Sequence, residues 1–280
     1  MFGSNYYNHP EVLISSFGEM SGDYKKKAKK KVGPAILLLQ KIYLAIFGIP
    51  EIGFQVRSQY FEKIIDDSLS NKKIKKILDA GSGIGIYSIW LKDKFSDARV
   101  DGWEIDQNKI EFSKKFVQEL GLDNVNFVYG DVTKTPKIKS EYDLIVSIDV
   151  LEHIENYKKV LQNFYKLLRP GGYLYIHTPQ PDQKRIFKTL ESWEHEDHVH
   201  EGYTPEELVS KLKEIRFKII KKRETFGFFG KLSWELNHLV LKKGFLPAGL
   251  VYPPLYLISG FDILFNNREG LGTAILAQKE

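Results

Sequence analysis

The chain of 280 residues has no cysteine. That absence excludes disulfides, thiolate metal sites and any thiolate nucleophile, including one that would add to a cytosine ring. No uninterrupted apolar run approaches the ~20 residues that a membrane-spanning helix needs. The most apolar stretch, 34–48, is interrupted at its centre by Gln40 and Lys41. Residues 1–20 lack the basic start and apolar core of a secretory signal, so a cytoplasmic location is expected. Internal repeats are absent. Outside one place the chain also lacks any excess of positive charge. The formal net charge is +5, yet Lys25, Lys26, Lys27, Lys29, Lys30 and Lys31 carry six positive charges, and the remainder of the chain is slightly negative. A basic footprint spread over a binding face is therefore missing, and no nucleic-acid partner is expected.

With 42% hydrophobic residues, the chain can bury a sizeable core. Its length suits one domain with additions. The most informative segment is 77–88, where the apolar strand Ile77-Leu78-Asp79-Ala80 runs into Gly81-Ser82-Gly83-Ile84-Gly85 and then a helix. Glycines there let the chain turn tightly and let a ligand approach the main chain, as nucleoside-cofactor sites require. Position 86 is isoleucine, so the pattern is G-x-G-x-G and the dinucleotide fingerprint G-x-G-x-x-G is incomplete. A second strand ends at Glu104, nineteen residues after Gly85, a spacing suited to a carboxylate on ribose hydroxyls. A third, 125–129, leads to Asp131, placed for an adenine amino group. A fourth, 142–148, is continuously apolar, as expected for a strand buried on both faces, and ends at Asp149. Arg169-Pro-Gly-Gly172 reads as a helix stop that turns into a fifth strand, 173–178. Acids at four successive strand ends match the rule that open α/β sheets bind ligands beyond the carboxyl ends of their strands.

These motifs resemble those of class I S-adenosylmethionine-dependent methyltransferases, most closely the type 11 group that includes ubiquinone-pathway enzymes. The resemblance runs from Lys73 to Lys222 through the glycine turn, Glu104-Ile105-Asp106, Gly130-Asp131-Val132, Asp149-Val-Leu-Glu152-His153, Leu168-Arg-Pro-Gly-Gly172 and His198-Val-His200-Glu-Gly-Tyr-Thr204-Pro-Glu-Glu. It implies a Rossmann-like α/β fold with a seven-stranded, mostly parallel sheet in the order 3-2-1-4-5-7-6. Strand 7 would be antiparallel and helices would cover both faces. It also implies S-adenosylmethionine as cofactor, held by Asp79, Gly81, Ser82, Gly83, Gly85, Glu104, Ile105, Asp131, Val132 and Asp149. The implied reaction is in-line methyl transfer to a small-molecule or lipid-linked acceptor. A protein or nucleic-acid target, or a non-catalytic binding scaffold, is the alternative. The Asn-Pro-Pro-Tyr motif used on planar amino groups is absent after strand four.

Two stretches exceed the common fold. Residues 1–50 form an N-terminal extension with the lysine run and the apolar helix at 34–48. A polybasic segment next to an apolar helix is the arrangement of a peripheral anchor on an anionic membrane, so contact through residues 25–48, at the inner face, is one reading. Packing over the cofactor site or against a second copy of the chain, as a homodimer, is the other. The core is expected over 51–225 and 271–280. Between strands six (217–225) and seven (272–279) lies an apolar insertion, 226–270, which Pro247, Pro253 and Pro254 are expected to divide into short helices. A helix over 51–70 is expected to bury Ile52, Val56, Tyr60, Ile64 and Ile65, with Arg57 and Tyr60 facing the cofactor or substrate.

His153 is the first candidate for a general base, since a neutral imidazole suits proton removal from a hydroxyl or amine. His198, with His200, is a second pocket candidate, and His177 a weaker third. The resemblance to ubiquinone-pathway enzymes suggests a cation held by Asp149, Glu152 and His153. The aspartate is shorter than that subgroup's glutamate, however, and no metal is expected. Thr204 is expected to cap a helix beginning at Pro205.

Overall fold

The computed structural model describes residues 34–47, 51–134, 141–190, 199–241 and 245–280. Seven segments pair into one sheet: β1 (Lys76–Ala80), β2 (Arg99–Glu104), β3 (Val125–Tyr129), β4 (Tyr142–Ile148), β5 (Leu168–Pro179), β6 (Phe217–Thr225) and β7 (Gly272–Lys279). Their order is β3-β2-β1-β4-β5-β7-β6, with β7 antiparallel to both its neighbours and the other pairings parallel. This is the expected Rossmann-like topology. One detail differs from the sequence reading: β5 begins at Leu168, so 169–172 lies inside the strand. A register break opposite Tyr142 and Leu144 absorbs the misfit, with Gly171 at φ 75°.

The helices are α1 (Pro34–Phe47), α2 (Ile52–Leu69), α3 (Ile86–Lys94), α4 (Gln107–Glu119), α5 (Tyr157–Leu167), α6 (Pro205–Glu214), α7 (Phe228–Leu241) and α8 (Phe245–Gly260). The period of two along β4 sorts the core. Leu144 and Val146 face α2, α3 and α4, where Phe61, Ile64, Ile65, Trp90 and Phe116 are buried. Ile145 faces α5 and α6, against Phe164, Leu208 and Leu212. Both faces of the sheet are thus covered. Thr204 accepts from the Glu207 N–H at 3.2 Å and caps α6, as its sequence predicts.

A third apolar cluster joins the C-terminal insertion to the core. Ile52, Val56 and Tyr60 of α2 pack with Phe226, Trp234, Tyr252, Leu255 and Leu271, and Tyr43 and Phe47 of α1 close its edge. The insertion is two long helices, which corrects the expectation of short pieces: Pro253 and Pro254 lie inside α8. Pro253 cannot donate to the carbonyl four residues earlier, at Gly249. The Tyr43 hydroxyl donates to that carbonyl at 3.0 Å, so α1 supplies the bond that the proline removes. The insertion is also pinned from below. Asp262, fully buried, accepts from the Gly227 and Gly230 N–H groups at 3.0 and 2.9 Å and from the Tyr60 hydroxyl at 2.9 Å. Tyr60 therefore anchors the cap and does not face a cleft, contrary to the sequence expectation.

Candidate active site

The glycine turn leaves β1 at the carboxyl edge of the sheet. Gly81, Gly83 and Gly85 all have φ between 55° and 82°, the left-handed region. At Gly85 a Cβ would stand 2.4 Å from the Phe127 ring, so packing as well as conformation requires glycine there. At Gly83 a Cβ would meet nothing within 4 Å, because this residue faces an open cleft. The Gly81 and Ser82 N–H groups donate to the Trp103 carbonyl at 2.8 and 2.9 Å, tying the turn to β2. Glu104, at the end of β2, accepts from Gly83 N–H through Oε2 at 2.8 Å and from the Ile105 and Asp106 N–H groups through Oε1 at 2.8 and 3.0 Å. Its orientation is fixed before any ligand arrives, and Oε2 remains the freer acceptor.

Asp79 is buried beneath the turn and accepts from the Ser88 hydroxyl at 2.6 Å. Burial pushes its carboxyl up to about 6; the Glu104 charge adds to this, and the Ser88 bond opposes it. Just past the end of β3, Asp131 turns inward on its own loop, accepting from Thr133 N–H at 2.9 Å and from the Thr133 hydroxyl at 2.5 Å. Those bonds hold its carboxyl below the ordinary value. Val132 is buried, its carbonyl held by Asn163 at 2.9 Å, while Ile105 projects into solvent with 64% of its surface exposed.

Two clefts meet at this edge. The first, of about 800 Å³, is lined by Phe54, Arg57, Gly81, Ser82, Gly83, Tyr87, Lys109 and Asp149. Glu104, Asp131 and Val132 stand beyond its wall; of these, Glu104 reaches it through the Gly83 N–H. The second, of about 580 Å³, lies under the C-terminal helices and is lined on one side by Asp149, Glu152, His153 and His177 and on the other by Phe226, Trp234 and Leu271. Arg57 and Asp149 belong to both. Asp149 sits at φ 52°, a costly conformation for a non-glycine residue, and its carboxylate holds the junction. Oδ1 meets His177 Nδ1 at 2.5 Å, and Oδ2 meets Arg57 Nε at 3.2 Å. Burial opposes the Arg57 charge, but Asp149 and Glu51 outweigh it and raise its pKa. His177 Nε2 is engaged by the Thr225 hydroxyl at 3.0 Å, so both nitrogens of this buried ring are committed.

Glu152 is buried beside Asp149, and burial followed by that neighbouring charge raises its carboxyl well above the ordinary range. His153 ends the same short 3-10 turn, Leu151–His153, and stands exposed at the rim of the second cleft. His200 points elsewhere: its Nε2 lies 3.3 Å from the Glu155 carbonyl and its ring packs by Tyr157 and Tyr203. It is not among the residues that line the second cleft. His198 lies outside the described residues. Sequence reasoning missed Arg185, Trp234 and Gln183 on the cleft wall and undervalued His177. A histidine at the end of an apolar strand was the available signal for the last.

A methyltransferase-domain family model matches residues 71–225, more than half of the chain and all of β1 to β6. This chain belongs to that family. Among curated relatives, the methyltransferase GfsG of Streptomyces halstedii is 27% identical over 177 residues, 60% of this chain and 61% of that protein. The ubiquinone biosynthesis O-methyltransferase of Coxiella burnetii is 28% identical over 135 residues, 48% of this chain and 54% of that protein. The chain thus spans less than two thirds of the length of these relatives. Among solved structures, Haemonchus contortus phosphoethanolamine N-methyltransferase 2 with S-adenosyl-L-methionine superposes with a TM-score of 0.57 at 19% identity, covering 79% of this chain and 52% of that one. That likeness concerns the fold. The family's cofactor is S-adenosylmethionine, and the first cleft fits such a group: the open face of Gly83 and the preset Glu104 carboxylate are what a nucleoside with a ribose would need.

Proposed function

We propose that the chain transfers a methyl group from S-adenosylmethionine to a small-molecule or lipid-linked acceptor bound in the second cleft. The observation that supports this reading is that Arg57 and Asp149 line both clefts, so a cofactor in one and an acceptor in the other would lie on either side of the same ion pair. Gly81, Ser82, Gly83 and Gly85 would cradle the amino-acid portion of the cofactor, with Asp79 holding the turn. Glu104 would take the ribose, and Ile105, Asp131 and Val132 the adenine. The bound cofactor supplies an electrophilic methyl on a sulfonium. The protein's part is alignment and exclusion of water, tasks suited to a cleft roofed by Phe226, Trp234 and Leu271. Asp149, fixed by Arg57 and His177, would set the boundary between the two ligands. His153, at the solvent rim, would accept the proton that the acceptor loses.

Calorimetry with S-adenosylhomocysteine tests the first half of this reading; absence of binding to the full chain refutes it. His153→Ala tests the second half. It should lower kcat by about 10²- to 10⁴-fold, the usual contribution of a general base, with S-adenosylhomocysteine affinity unchanged. An unaltered kcat removes His153 from the mechanism. The acceptor itself is found by incubating cell extracts with cofactor and enzyme and searching by mass spectrometry for products heavier by one CH₂.

The enzyme is further proposed to work at an anionic membrane surface. Leu38, Leu39, Ile42 and Ile46 of α1 are 48–65% exposed, and α8 carries no charged residue yet exposes Leu250 and Leu257 at 73% and 63%. The six lysines at 25–31 precede α1 in the sequence and match anionic headgroups in charge. Among the described residues no helix is long and apolar enough to cross a membrane, so contact would be peripheral.

A further inference from the structure

The segment after β5 passes along the second cleft and is clamped there by α7. Glu235, fully buried, accepts from the Ile186 N–H at 3.0 Å and the Phe187 N–H at 2.8 Å. Lys231 Nζ donates to the Lys184 carbonyl at 3.3 Å, and Gln183 Nε2 to the Leu271 carbonyl at 3.0 Å. Bonds on either side of Arg185 therefore fix the backbone that carries it. Its guanidinium lies over the Trp234 ring, 4.7 Å from the centroid, and both side chains line the cleft. Its Nη1 is shielded from solvent and makes no hydrogen bond.

A shielded guanidinium nitrogen with no acceptor is unfavourable, and such groups in folded proteins call for an explanation. Glu235 is close enough to offset the charge, but its oxygens are occupied by the 186–187 backbone. No carboxylate among the described residues forms an ion pair with Arg185. Burial accordingly lowers its pKa. The other guanidinium on the cleft wall, Arg57, is committed to Asp149 and Glu51. The cleft's acids do not repel an anion strongly. Asp149 is matched by Arg57, and the raised pKa of Glu152 favours its neutral form.

We propose that Arg185, held over the Trp234 ring, is the recognition group for an oxyanion, phosphate or carboxylate, carried by the acceptor. The inference rests on reading the second cleft as the acceptor site, and it names the acceptor's chemical class. The planar fork of arginine suits two parallel bonds to such a group, and stacking on an indole leaves that fork free at its edge. The anionic end of the acceptor would then lie under the cap, with its nucleophile directed toward Asp149.

The test is titration of the full chain, with S-adenosylhomocysteine present, by inorganic phosphate, acetate and dioctanoyl phosphatidic acid, against chloride at equal ionic strength. Tryptophan fluorescence and calorimetry read the binding. Saturable binding of phosphate or acetate is expected. Arg185→Gln should weaken it by about 10- to 100-fold, and Arg185→Lys by less, with S-adenosylhomocysteine affinity unchanged in both. Tighter binding of phosphatidic acid than of phosphate, lost in the glutamine variant, would identify a lipid headgroup; the reverse order would identify a water-soluble phosphate or carboxylate. Binding that is identical in Arg185→Gln, or no anion binding above the chloride control, overturns the proposal. Failure of the wild-type chain to bind S-adenosylhomocysteine would refute the methyltransferase reading separately, because anion binding is measured on its own axis.

Discussion

Glu104 shows how one side chain is readied by its surroundings. Three backbone N–H groups hold it at 2.8–3.0 Å, so a ligand hydroxyl meets an ordered acceptor and bears little of the cost of ordering it. Glu104→Ala should weaken S-adenosylhomocysteine binding by about 10- to 100-fold, the loss expected for a charged hydrogen bond, as read by calorimetry. Asp79 sets a pH dependence whose sign can be derived. Its carboxyl rises from 3.8 to about 6 on folding, chiefly through burial. Between those values the folded chain keeps a proton that the unfolded chain has released, so this group's contribution to stability falls as pH rises through that window. The penalty is complete above about pH 6 and amounts to at most ~3 kcal/mol. Asp79→Asn should remove that decline, so the urea midpoint should fall less between pH 4.5 and 7 than in the wild type. An unchanged slope would place the titration elsewhere.

Among the elements, the C-terminal helix pair depends on two fastenings far apart in the chain. Asp262 ties the start of α7 to α2, and its removal would leave two buried N–H groups and the Tyr60 hydroxyl without this acceptor. Asp262→Ala should destabilise the chain by about 2–4 kcal/mol in chemical denaturation, with α7 and α8 losing hydrogen-exchange protection first. Tyr43→Phe should cost about 1 kcal/mol, since it deprives only the Gly249 carbonyl of its donor. The helices themselves were legible, because Thr204-Pro205 and the stripe from Ile52 to Ile65 are local signals. Their continuity through Pro253 was not legible. Prolines forecast a break when only the chain's own donors are counted, and the replacement donor sits more than two hundred residues away.

For the whole molecule, the apolar faces of α1 and α8 make a prediction about location. Full-length protein should sediment with vesicles containing phosphatidylglycerol and remain in solution with phosphatidylcholine alone, with salt weakening the association. Leu39→Glu with Leu250→Glu should abolish sedimentation while S-adenosylhomocysteine binding persists. Concentration-dependent dimerisation lost in the same double variant, without vesicle binding, would assign these faces to a second copy.

The sequence by itself determined the strands and the nucleoside-binding turn, because those rest on signals a few residues long: glycines at 81, 83 and 85, acids at strand ends, and the continuous apolar run of β4. Each is set by backbone geometry or by burial on a two-residue period. The sheet's order and the cofactor class followed from the family resemblance that these motifs carry. Only the tertiary structure decided how the second cleft is built. It joins Asp149 to His177 and Thr225, and Arg185 to Trp234, across separations that no local pattern encodes. It also turned Tyr60 into the cap and His200 away from the cleft. Side-chain direction at those positions follows from which long-range partner satisfies a buried polar group, and that is settled only when the layers pack.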